Sequence, residues 1–528
     1  MSSVPPGSTE SSAPHDQTDI ATPGPSLWRR LRVACHLLLA LRKPDFQAAG
    51  AYVNKNYANS PPVIRWLRFV GWSLHQMFVD IPEGLAGVTA GRITRTPMWL
   101  DEPNPLLAHP WRDRPDAKLP ADADTLVIGA GFTGAALAHF WSKHAPPHRR
   151  MIVLEMGEVA SGSSGRNAGL VVMGRYYKFV RDTVLAHLPN VRADLPLQQQ
   201  DQLARQFAAV YCKAAYHNSQ LIEQTIADEG IDCNFVRAGW VHAMDEPEAM
   251  AEAASMAVES GYTDWTSLSP DQVKARTGMD TQHLCGFSQA AASWHPARWV
   301  WALFTRAVQT ETVELFTTTR VTKIERDGDA YIVQTDRGPV RTRHVVNATE
   351  AYTPKLIAKF RDAVLPIQEQ AAAGQGGPQH MTPHIGISGK WYFTGRYGPR
   401  TLFGSGGSRI ADHEAGRNAP SGFLSGFVLG EIRRTFGRFG LHWTHEWSGT
   451  VGYTPDEYPI VGLIDGRAHY IIAGMCGSGS AVSFNAGRCI VNRILTRDEQ
   501  DDYPENYFAP GRLLDPANHA WPDIESQD

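Results

Sequence analysis

The sequence predicts an α/β protein: a domain of buried strands and crossover helices, interleaved with a mainly antiparallel β-sheet that carries helices of its own. Three observations point there. "DTLVIGA", "GFTGAALAHFWSKHA" and "RRMIVLEM", from Asp124 to Met156, read as strand, helix and strand, a βαβ unit. "AHYIIAGMCGSGSAVSFNAGRCIVNRIL", Ala468 to Leu495, repeats the strand, glycine turn and helix. Between them "FVRAGWVHAM", "VELFTTTRVTKIERDG", "AYIVQTDRG", "WYFTGRY" and "RTLFGSGG" read as strands, with Gly and Asp at the breaks.

In chain order, residues 1–25 are rich in Ser, Pro, Thr and Gly and lack the apolar content that offsets ordering entropy, so they are expected to be disordered. Residues 26–122 form a partly helical extension. Its "SLWRRLRVACHLLLALRKPDF" holds an apolar run from Val33 to Leu41, far short of the ~20 residues of a spanning helix. No small-residue cleavage site follows that run. It is read as a helix packed on its own protein, with peripheral membrane contact through residues 27–43 as the alternative. The aromatic stretch Arg65 to Phe78 is expected to cover a surface of the main body. Apolar residues at helical spacing from Leu195 to Gly230, ending on glycine, predict a long helix.

With 528 residues, 43% of them hydrophobic, the chain has material for two or three domains. Its net charge of -4 gives no global reason to expect nucleic acid. The six cysteines are scattered and no His cluster has ligand spacing, so neither a disulfide framework nor a metal site is expected. A cytoplasmic location fits this cysteine usage.

Gly129, Gly131 and Gly134 form G-x-G-x-x-G between the first strand and its helix. Gly129 allows the tight turn, Gly131 lets the backbone approach a pyrophosphate, and Gly134 allows close packing of helix on strand. Phe132 and Thr133 begin the helix, whose free N–H groups suit phosphates. Glu155, at the end of the second strand, is placed to accept ribose hydroxyls and disfavours a 2′-phosphate. The pattern is that of a Rossmann-like domain and serves NAD or FAD. Downstream, "EVASGSSGRNAGLV" supplies Ser161, Ser163, Ser164, Arg166, Asn167 and Ala168 for further phosphate and ribitol oxygens. A second helix start at Gly474, Cys476, Gly477, Ser478 and Gly479 suits the negative charge that builds on a reduced flavin.

These pieces, with "HPARWVWALFTRAV", "TTRVTKIE", "VVNATEAYTP" and "WSGTVGYTPDEYPIVG", resemble the FAD-dependent amine oxidoreductases of the D-amino-acid oxidase superfamily, which includes glycine oxidase, sarcosine oxidase and gamma-glutamylputrescine oxidase. The resemblance runs from about Ala123 to Leu495. It implies a discontinuous FAD-binding domain (123–185, 286–360, 447–500), a substrate domain (186–285, 361–446) and a C-terminal tail (501–528). It also implies that Val321 meets the adenine through its backbone, that Ala348 and Thr349 pass near the pyrophosphate, and that Gly474 to Ser480 border the isoalloxazine.

Two departures from the family pattern stand out. Glu350 occupies the last place of the usual "ATG". Val451 or a neighbour stands where many members carry an arginine that clamps a substrate carboxylate. Arg396 is the candidate substitute, His295 the candidate for tuning amine protonation, and Tyr392 with Phe393 the candidate aromatic wall; Trp294 is placed at the mouth. Gly449 lies near the point where sarcosine-oxidase-like members attach flavin through cysteine, and Cys476 is read as packing, so noncovalent FAD is expected.

The implied function is oxidation of the C–N bond of an amine or amino acid by hydride transfer to flavin N5, giving an imine that hydrolyses. The electron acceptor is O2, or a quinone or protein carrier. The alternatives are an FAD dehydrogenase delivering electrons at a membrane surface, and a flavin-binding interaction protein with little catalysis.

Overall fold

The computed structural model describes residues 25–41, 43–108, 118–174, 176–243, 247–262, 264–405, 410–411, 416 and 418–524. The expected disordered segment lies outside these except for Pro25, as does Arg42 of the basic stretch.

The described chain opens with three helices, α1 (Leu27–Ala40), α2 (Lys43–Asn56) and α3 (Pro62–His75), and a strand, β1 (Val88–Thr94). The βαβ unit is β2 (Asp122–Ile128), α4 (Phe132–His144) and β3 (Met151–Leu154). Helices α5 (Tyr177–Val191) and α6 (Leu197–Glu229) lead to β4 (Trp240–Ala243), β5 (Trp265–Leu268) and β6 (Cys285–Ser288). The chain returns through α7 (Pro296–Ala307), β7 (Val313–Phe316), β8 (Val321–Asp327), β9 (Ala330–Thr335) and β10 (Val340–Asn347). It leaves again for β11 (Leu365–Gly376), β12 (Gly386–Gly389), β13 (Phe393–Tyr397), β14 (Arg400–Gly404), α8 (Gly422–Phe436) and β15 (Leu441–Tyr453). The last elements that matter for the site are β16 (Ile460–Leu463), β17 (His469–Ala473) and α9 (Gly479–Leu495).

Five parallel strands in the order β7-β3-β2-β10-β17 make the first sheet, with β16 antiparallel on β17 and the β8-β9 hairpin on the start of β10. Val127 pairs with Val153 on one side and Val346 on the other, and all three are buried, as an apolar run covered on both faces requires. The chain crosses from β2 to β3 in one direction, while β10 lies on β2's other side. The carboxyl ends of β2 and β10 therefore form the switch point at which open α/β sheets bind ligands. Helices α4 and α9 pack side by side here: a Cβ at Gly487 would stand 2.7 Å from that of Ala136. Only glycine admits this approach.

The second sheet runs β1-β15-β11-β14-β13-β12-β4-β6-β5, antiparallel except for β1 on β15 and β12 on β4. Three of the expected boundaries fall within the reach of this sheet. Residues 447–453 close the long strand β15, because the ladder with β11 continues unbroken to Tyr453 opposite Leu365. Residues 286–288 lie in β6 of the same sheet, and β1 of the extension forms its edge. The C-terminal residues pack tightly: Tyr503 and Phe508 are buried, and buried Arg512 donates to Asp456 (2.7 Å) and to the Tyr458 carbonyl (2.7 Å).

Candidate active site

One cavity of about 1150 Å³ follows the switch point and continues between the two sheets. That exceeds the ~300–1,000 Å³ of a pocket for one small ligand, leaving room for a dinucleotide and a substrate.

At its first end the backbone does most of the work. Gly129 has φ +111°, and a Cβ there would lie 2.6 Å from the Ala348 carbonyl oxygen. A Cβ on Gly131 would lie 2.7 Å from Ser164 Oγ, the atom that accepts from the Phe132 amide (2.8 Å). A side chain on Gly134 would collide with the Gly129 carbonyl, so this residue serves packing and does not line the cavity. Helix α4 starts at Phe132 after Gly131, which has no side chain to cap it; Ser164 takes the Phe132 amide, and the N-terminal dipole faces the cavity. Glu155 accepts from the Ala130 (2.8 Å) and Gly157 (2.7 Å) amides, and burial raises its pKa above the ordinary value against those bonds. Its carboxylate lines the same end as Val321.

The loop after β3 is fixed by its own polar groups. Arg166 donates to the carbonyls of Ser161 (2.8 Å) and Ser448 (3.0 Å), tying the loop to β15; burial lowers its pKa. Asn167 donates to the Ser164 carbonyl and accepts from the Gly169 amide, each at 2.8 Å. Trp99 of the extension braces this loop, donating to the Asn167 carbonyl at 2.8 Å. Ser161, Ser163, Ala168, Ala348 and Thr349 also line the cavity.

In the middle stands Glu350, at φ +48°, a left-handed conformation that explains why glycine is usual in this place. Its carboxylate accepts from the Gly452 amide (2.7 Å) and the Met475 amide (2.8 Å), joining β15 to the glycine turn before α9. Burial pushes its pKa up to about 7. Helix α9 also begins without a side-chain cap, and Cys476, Gly477, Ser478 and Gly479 line the cavity. A Cβ on Gly479 would stand 3.8 Å from the Phe132 ring, so the two helix starts meet. Gly474 does not line the cavity; its positive φ (+65°) makes the turn.

Beyond the second helix start the walls are side chains. Tyr176, Phe179, Trp240, His242, Tyr392 and Phe393 supply aromatic surface. The His242 ring sits 5.2 Å from Trp240, 5.8 Å from Tyr176 and 6.0 Å from Trp265. This enclosure lowers its pKa to about 4 by desolvation, and its buried Nδ1 has no hydrogen-bond partner. Glu369 of β11 accepts from the Tyr453 hydroxyl (2.9 Å), and both line the cavity with Val451 and Lys390.

A family model described as FAD dependent oxidoreductase (DAO) matches residues 124–493. The chain belongs to that family. This FAD-dependent oxidoreductase is 24% identical over 415 residues to a probable oxidoreductase OrdL of Haemophilus influenzae, covering 74% of this chain and 88% of that one. Its fold is similar to L-proline dehydrogenase from P. horikoshii (TM-score 0.60, 19% identity, 75% of this chain and 98% of that one). It is also similar to glycine oxidase from Geobacillus kaustophilus (TM-score 0.57, 16% identity, 74% and 98%). The family makes the chain an enzyme, which sets aside the reading as a flavin-binding interaction protein.

The residues of the oxidoreductase fit FAD. Two helix starts without N-cap side chains of their own meet over one glycine-lined channel, with the half-buried Glu155 carboxylate at its nucleotide end. Cys476 Sγ is turned to the Gly474 carbonyl (3.2 Å) and Gly449 offers no thiol, so neither position supplies a cysteine link to FAD.

Of the three residues expected to act on substrate, the structure brings only Tyr392 to the cavity, with its hydroxyl 3.2 Å from Thr435 Oγ1. His295 lies outside it: its Nδ1 accepts from the Arg298 amide (3.2 Å) as the N-cap of α7, and its Nε2 is 3.5 Å from Glu102. Arg396 also lies outside, donating to the carbonyls of Gln379 (3.1 Å) and Gly398 (3.4 Å). Trp294 is buried against Phe132 and Trp299 rather than set at the mouth. The residues that sequence reading missed are Tyr176, Trp240, His242, Glu369 and Tyr453.

Proposed function

We propose that this oxidoreductase oxidises the C–N bond of an amine or amino acid, and that an amine without an α-carboxylate is the better substrate. The observation that carries the reading is the Glu369–Tyr453 pair in an aromatic-walled cavity that Val451 also lines, at or beside the place where the resemblance puts a clamping arginine. Among the described residues the arginines lining the cavity are Arg166, committed to two backbone carbonyls, and Arg320 beside Val321 at the nucleotide end. Neither is set for bidentate recognition of a substrate carboxylate.

FAD, when bound, supplies the electron-accepting chemistry. The protein's part is placement and proton handling. Glu369 Oε1 is occupied by the Tyr453 hydroxyl, and the second oxygen can take the proton of an incoming ammonium, giving the neutral amine that reacts. His242, neutral at physiological pH, adds uncharged ring surface to the cavity wall. Tyr176, Phe179 and Trp240 hold the apolar body of the substrate and exclude water. The substrate gives up two electrons and two protons and leaves as an imine, which water converts to a carbonyl compound and an amine. O2, or a quinone or protein carrier, takes the electrons; oxygen consumption in turnover tells these acceptors apart.

Anaerobic titration tests the reading. Bleaching of the flavin band by a secondary amine or polyamine, with carbonyl product formed, is expected. No bleaching by sarcosine, dimethylglycine, proline, polyamines or D-amino acids would overturn it.

A further inference from the structure

The helices of the extension precede the family match and leave unusual surfaces. Twelve of the eighteen large apolar side chains exposed among the described residues lie between Leu27 and Val79. Helix α1 packs through Ala34 and Leu37, yet Trp28, Leu31, Leu38 and Leu39 face solvent, Trp28 at 80% and Leu39 at 89% exposure. Trp28, Leu31, Cys35 and Leu38 recur at three- and four-residue spacing, so they line one solvent-facing stripe. Helix α3 buries no residue at all, although Val63, Trp66, Leu67 and Leu74 give it a second stripe. The stretch expected to cover the main body does so only at its end, where Trp72 lies edge-on to Phe427 (5.7 Å) and Phe423 (6.1 Å) of α8 and Met77 is buried. Arg30 links the two helices by donating from α1 to the Val79 carbonyl (3.2 Å) just after α3.

Charge says what covers these stripes. Residues 26–43 and 61–75 hold seven Arg and Lys and no Asp or Glu, in a chain whose net charge is -4. Arg32 and Arg68 are exposed on the same helices as the stripes. Cations beside exposed Trp and Leu suit an anionic lipid surface, where the apolar face enters the headgroup boundary and the cations meet phosphates. Glu83 is taken up by Arg30 (3.2 Å), and a second copy of the same face would set the exposed Arg32 and Arg68 against like charges. No described helix is long and apolar enough to cross a membrane, so the contact is interfacial.

We infer that α1 and α3 dock this oxidoreductase on an anionic phospholipid surface through their two exposed apolar stripes. The inference is independent of the substrate. It is tested on the full-length holoenzyme by flotation with vesicles of phosphatidylcholine alone or with added phosphatidylglycerol. Recovery with the phosphatidylglycerol vesicles, about tenfold weaker on phosphatidylcholine, is expected. Replacing exposed side chains together, Trp28→Ser, Leu31→Ser, Trp66→Ser and Leu67→Ser, is expected to abolish flotation while the flavin spectrum stays unchanged. Should that variant lose its flavin, Arg32→Gln with Arg68→Gln decides: it is expected to float about tenfold less and to lose salt sensitivity. No flotation of the wild type, equal recovery on both vesicles, or a concentration-dependent dimer broken by the serine variant would overturn the inference.

Discussion

The two ends of the cavity are built in opposite ways. At the nucleotide end Gly129, Gly131, the start of α4 and the loop from Ser161 to Ala168 present backbone, and the side chains there mostly hold that backbone still. At the substrate end Tyr176, Trp240, His242, Glu369 and Tyr453 present side chains from segments far apart in the sequence. The first end tolerates almost no added atom, whereas the second changes chemistry with each substitution. One site therefore keeps its cofactor while its substrate specificity is free to vary.

The largest expected effect breaks the first end. Gly131→Val drives a side chain into Ser164 Oγ and disturbs the Phe132 amide bond. An overpacking cost of ~1–3 kcal/mol and a lost hydrogen bond of ~1 kcal/mol predict FAD binding roughly a hundredfold weaker, read from the flavin absorbance of the purified protein.

Acid acts on the second end. The folded-state pKa of His242 is lowered to about 4 from the ordinary 6.5, so the unfolded chain takes up its proton first as pH falls. Its contribution is present above pH ~6.5 and is lost progressively down to pH ~4, by roughly 3 kcal/mol at most. Melting temperature against pH should show this slope, and His242→Phe should flatten it. Glu350 runs the other way: its pKa is raised to about 7, so stability falls as pH rises from ~4.5 to ~7.

Glu369→Gln sharpens the comparison. It keeps the shape but removes the charge, and should lower kcat/KM for an amine by about 10- to 100-fold with flavin absorbance unchanged, the scale of a charge-assisted hydrogen bond. Glu350→Gly tests the joint between the ends. It leaves the Gly452 and Met475 amides without acceptors while relieving a left-handed residue, for a net loss of about 2 kcal/mol seen in thermal melting. The smallest effects lie outside the cavity. His295→Ala should cost ~1 kcal/mol as a lost helix cap, and both it and Arg396→Ala should leave amine turnover within about twofold.

What the sequence made legible follows the same divide. The glycine turn, Glu155 and the serine-rich loop are local devices, and their spacing alone states the backbone geometry they need. The substrate end depends on which strands pair and how far side chains reach: in the β11–β15 ladder Glu369 lies opposite Gly449 and Tyr453 opposite Leu365, and the two side chains meet across that offset. Alternation in "LPIQEQAAAG" puts Glu369 on one face with Ile367 and Ala371, the one signal available for it. For His295 the sequence is ambiguous, because a polar residue before proline also marks a helix start, and here it caps α7 outside the cavity. For Glu350 the sequence carries no such signal: its place depends on a positive φ and on two amides, of Gly452 and Met475, that are remote in the chain.

The most direct measurement is the rate of anaerobic flavin reduction by an amine and by the same molecule bearing an α-carboxylate, for the wild type and for Val451→Arg. The wild type should be reduced faster by the plain amine, and the arginine variant should narrow or reverse the ratio. Faster reduction of the wild type by the carboxylated partner would contradict the proposed preference.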